Sequence, residues 1–202
     1  MLSQVSRYEM LAGEHGNAIR VGREALAMAE TLGLDEVRAH VLNNIGTARC
    51  AAGDAGGIED LERSIEIADA IDSPELARAY NNLATVVAYL GHIQRNVELR
   101  TLAVQAGERL GAWSTARFAA TAQTMWEYAL GNWEVFDAES RSMLEESERL
   151  GGRYQDAYVL STRALVAIAR AEDAEARASS QRALELARGA GDPQIVLPVL
   201  AE

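Results

Sequence analysis

The sequence has no lysine, one cysteine, three prolines and two phenylalanines, and aromatic residues make up only 5% of it. A single cysteine cannot close a disulfide within the chain, which suits a reducing compartment. Few prolines and no sustained β-branched alternation exclude an all-β chain. No run approaches the roughly 18 uninterrupted apolar residues of a membrane span. The opening Met1-Leu2-Ser3-Gln4-Val5-Ser6-Arg7 lacks the basic and apolar regions of a secretory leader. These absences predict a soluble, cytoplasmic protein. Positive charge is also scarce: 19 bases against 30 acids leave a net charge of −11. A field of that sign repels phosphate backbones and anionic lipid, so neither nucleic acid nor a membrane surface is expected as a direct partner. That every base is arginine fits an alanine-rich, GC-rich coding sequence and excludes no chemistry.

What is present is enough for a folded array. Apolar residues reach 49% and charged residues 24%, which excludes intrinsic disorder. Breaker residues recur in two interleaved series. Gly13, Gly53, Gly91, Gly131 and Ala171 are spaced 40, 38, 40 and 40 apart, and Gly33, Ser73, Gly111, Gly151 and Gly191 keep the same spacings. Between breakers the apolar residues follow helical spacing, as in Val21, Ala25, Leu26, Ala29, Leu32 and in Leu61, Ile65, Ala68. Ser73 before Pro74 and Asp192 before Pro193 are N-cap candidates with proline at the first helical position. Gly33, Gly111, Gly151 and Gly191 follow the last apolar residue of a helix, where a left-handed C-cap suits glycine. The expectation is an all-α chain, an α-solenoid of about five helix hairpins with a period near 40 residues. The hairpins fall at about 1–33, 34–73, 74–111, 112–151 and 152–191, with a sixth opening at 192–202. A hairpin cannot bury its apolar face alone, so neighbours must stack into one repeat domain. Val196, Leu197, Val199 and Leu200 make an apolar end, which implies excision from a longer array, a covering partner or pairing between copies.

Two segments carry a closer likeness. Arg38-Ala39-His40-Val41-Leu42-Asn43-Asn44-Ile45-Gly46-Thr47 runs on to Gly53, and Arg78-Ala79-Tyr80-Asn81-Asn82-Leu83-Ala84-Thr85 runs on to Gly91. Each resembles the first helix of a tetratricopeptide (TPR) repeat, and Ala18 and Ala176 match its small second-helix position. The 40-residue period is longer than the usual TPR repeat. It is similar to that of the repeat regions of bacterial LuxR/MalT-type regulators and ATPase-linked adenylate cyclases, and HEAT repeats have a comparable length. The resemblance implies that first helices line a concave groove for a protein or peptide partner, or for other domains of a parent protein. Its stripe would hold His40, Asn43, Asn44 and Thr47, then Arg78, Asn81, Asn82 and Thr85. Thr121, Met125 and Tyr128 would continue it, followed by Tyr158, Ser161 and Thr162.

Rival readings accompany several of these residues. The paired asparagines either contact a ligand backbone, Asn44 and Asn82 foremost, or tie neighbouring helices together. The cluster of Trp113, Phe118, Trp126, Tyr128, Trp133 and Phe136 either anchors a small molecule or fills space left by alanines; Tyr128 is expected in the groove and Trp126 in the core. Gly46 and Ala84 are expected to be small because another helix crosses there. Cys50 reads as a small buried hydrophobe, Gly53-Asp54-Ala55-Gly56-Gly57 as a hairpin turn, and Glu145-Glu146-Ser147-Glu148 as a solvated face. No metal-ligand spacing, cofactor motif or nucleophile–base pair is recognisable. The expectation is a non-catalytic interaction module without cofactor or metal, with a ligand-sensing domain or a self-associating spacer as alternatives.

Overall fold

A computed structural model of the chain describes residues 1–149, 155–190 and 199. Ten α-helices occur among these residues, with no strand. They are α1 (Leu2–Leu11), α2 (His15–Leu32), α3 (Asp35–Ala51), α4 (Gly57–Ala70), α5 (Glu75–Tyr89), α6 (Ile93–Arg109), α7 (Trp113–Ala129), α8 (Trp133–Arg149), α9 (Asp156–Ala169) and α10 (Asp173–Ala190). In order they fall pairwise into the five expected hairpins. The chain divides into two compact units, Met1–Ala120 and Thr121–Glu202.

The punctuation works as local chemistry requires. Gly33 ends α2 at φ 64°, left-handed, and Gly111 takes φ 75°. Gly151, Gly191 and the Asp192-Pro193 start lie outside the described residues. Between α4 and α5 the left-handed position falls on Asp72 at φ 50°, one residue before Ser73 of the breaker series. Ser73 caps the next helix, the role its place before Pro74 suggests: its hydroxyl accepts the Glu75 N–H at 3.1 Å and donates to Glu36 Oε1 at 2.8 Å. Ala171 keeps phase with the glycines at φ 59°, where a Cβ is disfavoured by about 1–2 kcal/mol. Ala171→Gly therefore raises stability by about 0.5–1 kcal/mol after allowing for the added freedom of the unfolded chain. A higher urea midpoint at unchanged slope is the expected result.

In the first unit α1 packs on α2 and α3, and α3 on α4 and α5. Its core is built from Leu42, Leu61, Leu76, Leu83 and Leu99 with many alanines between them. Small residues let backbones approach. A Cβ on Gly46 would lie 2.6 Å from the Gly57 carbonyl, and one on Gly57 would lie 2.3 Å from that of Gly46. Ala84 is wholly buried in the same cluster. Cys50 is half-buried against that cluster, and burial pushes its thiol pKa up. The glycine-rich turn is clamped by Arg49, which donates to Asp54 at 2.8 Å, to Asp60 at 2.6 Å and to the Gly56 carbonyl at 3.1 Å. Ser6 and Ser64 donate to the carbonyls of Ala18 and Ala39, stitching the first two hairpins internally.

In the second unit Phe136, Val159 and Val166 are the large side chains most fully buried. Ala157 and Ala187 form a core with Tyr158, Leu186 and Val199, so one residue of the expected apolar end is partly covered. Ser147 is buried and bonds Asp156, while Glu145, Glu146 and Glu148 are exposed. No described helix is long and apolar enough to cross a membrane.

Candidate functional site

The first unit carries a polar network across the first helices of three hairpins. It begins at Glu75, which the Ser73 cap places in the opening turn of α5. Glu75 Oε1 accepts from Asn43 Nδ2 at 2.7 Å and from Arg78 Nε at 2.6 Å, while its Oε2 lies 3.1 Å from His40 Nδ1. The Arg78 guanidinium also reaches the His40 carbonyl at 3.2 Å and Asn44 Oδ1 at 2.9 Å. Asn82 Nδ2 donates to Asn43 Oδ1 at 2.8 Å, and Asn44 Nδ2 to the Ser3 carbonyl on α1 at 3.1 Å. Residues of α1, α3 and α5 are thus joined through one set of bonds.

Electrostatics follow from the burial. Burial alone would raise the Glu75 pKa, but the His40 hydrogen bond and the Arg78 cation outweigh it and hold the carboxyl at about 2. Burial pulls the Arg78 guanidinium below its ordinary value, with Glu75 opposing. The pair is a buried ion pair whose remaining hydrogen-bonding positions are filled by asparagines and a backbone carbonyl, the condition under which such a pair is tolerated.

The expected groove residues of this unit therefore divide. Asn43 and Asn44 are fully buried, and their amides are spent between helices, which is the helix-tying role. Asn44 is covered because α1 packs across α3, so it does not lead the accessible stripe as expected. Asn81 is also buried. His40, Thr47, Asn82 and Thr85 are partly buried and form the accessible part of the stripe, whereas the Arg78 side chain is only 12% exposed and is taken up by Glu75. The hydroxyls of Thr47 and Thr85 donate to the carbonyls four residues earlier, at 2.8 and 3.1 Å. Spacing did not single out Glu75. Its only signal was its place one helical turn before Arg78.

In the second unit Thr121, Ser161 and Thr162 are buried, whereas Met125, Tyr128 and Tyr158 are half-buried. Tyr128 stacks on Trp133 at 6.3 Å and meets Phe136 at 5.8 Å with rings tilted by 55°. These rings fill space against one another. Phe136 is the core aromatic; Trp126, expected in the core, is half-buried. A cleft of about 540 Å³ that the sequence did not suggest lies between α8 and α9–α10. Arg163 spans it, 3.0 Å from Ser140 Oγ and 3.2 Å from Glu175 Oε1, and Arg170 pairs with Asp137. Arg163 and Arg170 are each matched by a carboxylate, an arrangement that braces helices. Among the described residues no group of three His, Cys, Asp or Glu side chains is placed to hold a metal.

Neither a protein-family model nor a curated protein sequence matches the chain. Solved structures do. The nearly identical TPR-like repeats of a kinesin light chain-type protein from Podosopora anserina superpose with a TM-score of 0.66 at 14% identity, over 92% of both chains. A variant of the same repeats gives 0.67 at 14% identity, over 94% of both chains. BtubC (BKLC) from P. vanneervenii gives 0.73 at 17% identity, over 94% of this chain and 80% of that one. At such identities the likeness speaks for architecture, and the architecture is a TPR-like α-solenoid.

Proposed function

We propose that this chain is a non-catalytic interaction module that holds a protein or peptide along the first-helix face of α3 and α5. The observation that supports the reading most is the Glu75–Arg78–Asn43–Asn44 network, which fixes three first helices in register beneath His40, Thr47, Asn82 and Thr85. A face held that rigidly loses little conformational freedom on binding, which is how a pre-organised surface gains affinity. Helical-repeat arrays commonly use such extended faces for partners. The module would serve a cytoplasmic bacterial transcriptional regulator or signalling ATPase as its sensor region. A partner that favours one arrangement of the helices would shift their equilibrium and reach an effector domain.

Site-specific photo-crosslinking tests the face directly. A benzophenone side chain at position 47 or 85 is expected to capture a discrete protein species in cells, and one at exposed Glu62 or Glu66 on α4 is not. Equal labelling from both faces, or labelling from α4 alone, sinks the proposal.

A further inference from the structure

The cleft between α8 and α9–α10 holds charges that its bracing bonds do not use. It encloses about 540 Å³, within the roughly 300–1,000 Å³ of small-molecule sites. Buried Val166 and Ala167 close its base. Three arginines and four carboxylates line it. Arg170 pairs with Asp137, and Arg163 lies 3.9 Å from Asp137 and 3.2 Å from Glu175. Those two cations and two carboxylates balance. Arg141 on α8 remains, with Glu172 and Asp173 at the start of α10. Among the described residues none of these three side chains makes a hydrogen bond or a direct ion pair, although Glu172 acts on Arg170 through space. All three are exposed, so the cleft is open from the side on which they stand.

The leftover charges belong to two different walls, one cation on α8 and two carboxylates on the α9–α10 side. A simple anion that met Arg141 would also meet Glu172 and Asp173, and a simple cation would meet the reverse. A metal ion finds no set of three ligands among the described residues. A small molecule that carries both signs satisfies both walls at once. The balance is specific, because one unused cation and two unused carboxylates call for one anionic and two cationic groups. The bracing bonds fix the walls before any ligand arrives. Arg163 joins Ser140 of α8 at 3.0 Å to Glu175 of α10 at 3.2 Å, and Arg170 ties the end of α9 to Asp137 of α8. A site formed in advance loses little conformational freedom on binding.

We infer that this cleft is a binding site for a free basic amino acid, with the α-carboxylate on Arg141 and the α-ammonium and side-chain cation on Glu172 and Asp173. Guanidinium and carboxylate match in geometry as well as charge, since two N–H groups can meet two oxygens. The aliphatic part of the ligand has Val166 and Ala167 to lie against. The volume leaves room for waters that bridge the remaining polar atoms. None of the cleft residues belongs to α3 or α5, so the site stands independently of the proposed partner face and gives the module a small-molecule ligand of its own.

The test uses four probes on the isotopically labelled full chain at constant ionic strength. L-lysine and L-arginine carry all three groups, L-norleucine lacks the side-chain cation, and cadaverine lacks the carboxylate. The Arg141 Nε–H and Ala174 amide resonances are followed by NMR. A saturable shift of both with L-lysine or L-arginine is expected, with L-norleucine and cadaverine each weaker by about threefold or more. Arg141→Gln is expected to bring L-lysine level with cadaverine, and Glu172→Gln combined with Asp173→Asn to weaken it about threefold or more. Shifts that stay linear to about 10 mM for both basic amino acids overturn the site. Binding of L-norleucine or cadaverine as tight as that of L-lysine also overturns it, as does an affinity unchanged by Arg141→Gln. If a variant folds poorly, the ranking of the four probes on the wild-type chain still decides.

Discussion

Gly46→Val is expected to unfold the first unit at or near physiological temperature. The Cβ alone would sit 2.6 Å from the Gly57 carbonyl and 2.8 Å from Leu61 Cγ, and the first of these contacts is backbone that cannot swing away. Relief requires α3 and α4 to separate, which opens the Leu61–Leu83–Leu99 cluster as well. Overpacking of ordinary core sites costs about 1–3 kcal/mol; a forced separation of two backbones belongs at or above the top of that range. For a chain of this size 3 kcal/mol corresponds to a fall in Tm of about 10 °C. Gly189→Ala is the matched control, since a Cβ there meets nothing within 4 Å and lies inside helix α10. It should leave Tm unchanged or raise it slightly. A Gly46→Val protein melting within about 3 °C of wild type would show that the two helices do not meet at these glycines.

The second large effect is expected at Glu75. Glu75→Ala leaves Arg78 charged and buried, and takes an acceptor from Asn43 and a partner from His40. Breaking a buried pair from one side costs about 3–5 kcal/mol. The conservative Glu75→Gln separates charge from shape through its pH dependence. Because the folded-state pKa is depressed from 4.5 to about 2, the stabilisation is fully present above the unfolded value and is lost as pH falls through the folded one. The gap in unfolding free energy between wild type and Glu75→Gln should therefore be about 3 kcal/mol at pH 6 and close progressively from about pH 5 to pH 2. Other carboxylates titrate in both proteins and cancel in the difference. Urea denaturation at four or five pH values measures it. A gap that stays constant with pH would mean that the carboxylate charge does not hold the helices together.

Much of the architecture was legible in the residues because it is set within one or two helical turns. Spacing of Val21, Ala25, Ala29 and its counterparts defines a helix face, and breakers at fixed intervals define where helices must end. The small size of Gly46 and Ala84 likewise announced a close crossing, although its partner, Gly57, was read only as part of a turn. The left-handed position on Asp72 was not legible, because Ser73 keeps the glycine phase in the sequence; the serine's own capping role was, from the proline that follows it.

The candidate site was less legible, for a geometric reason. Adjacent residues on a helix point about 100° apart, so Asn43 and Asn44 cannot share one environment, and spacing within α3 does not say which helix covers which side. That depended on α1 lying across Asn44 and on α5 presenting Glu75 to Asn43. The cleft gave no signal at all, since an arginine such as Arg141 on an amphipathic helix is ordinarily solvated. It shares a cleft with Glu172 and Asp173 only when α9 docks on α8. The sequence by itself determined an all-helical repeat, its phase, its hairpins and its negative charge, because these depend on local periodicity and composition. Tertiary structure alone decided which polar residues pair, which stay accessible and which charge is left without a partner, because those outcomes depend on the approach of helices 20 to 40 residues apart in the chain.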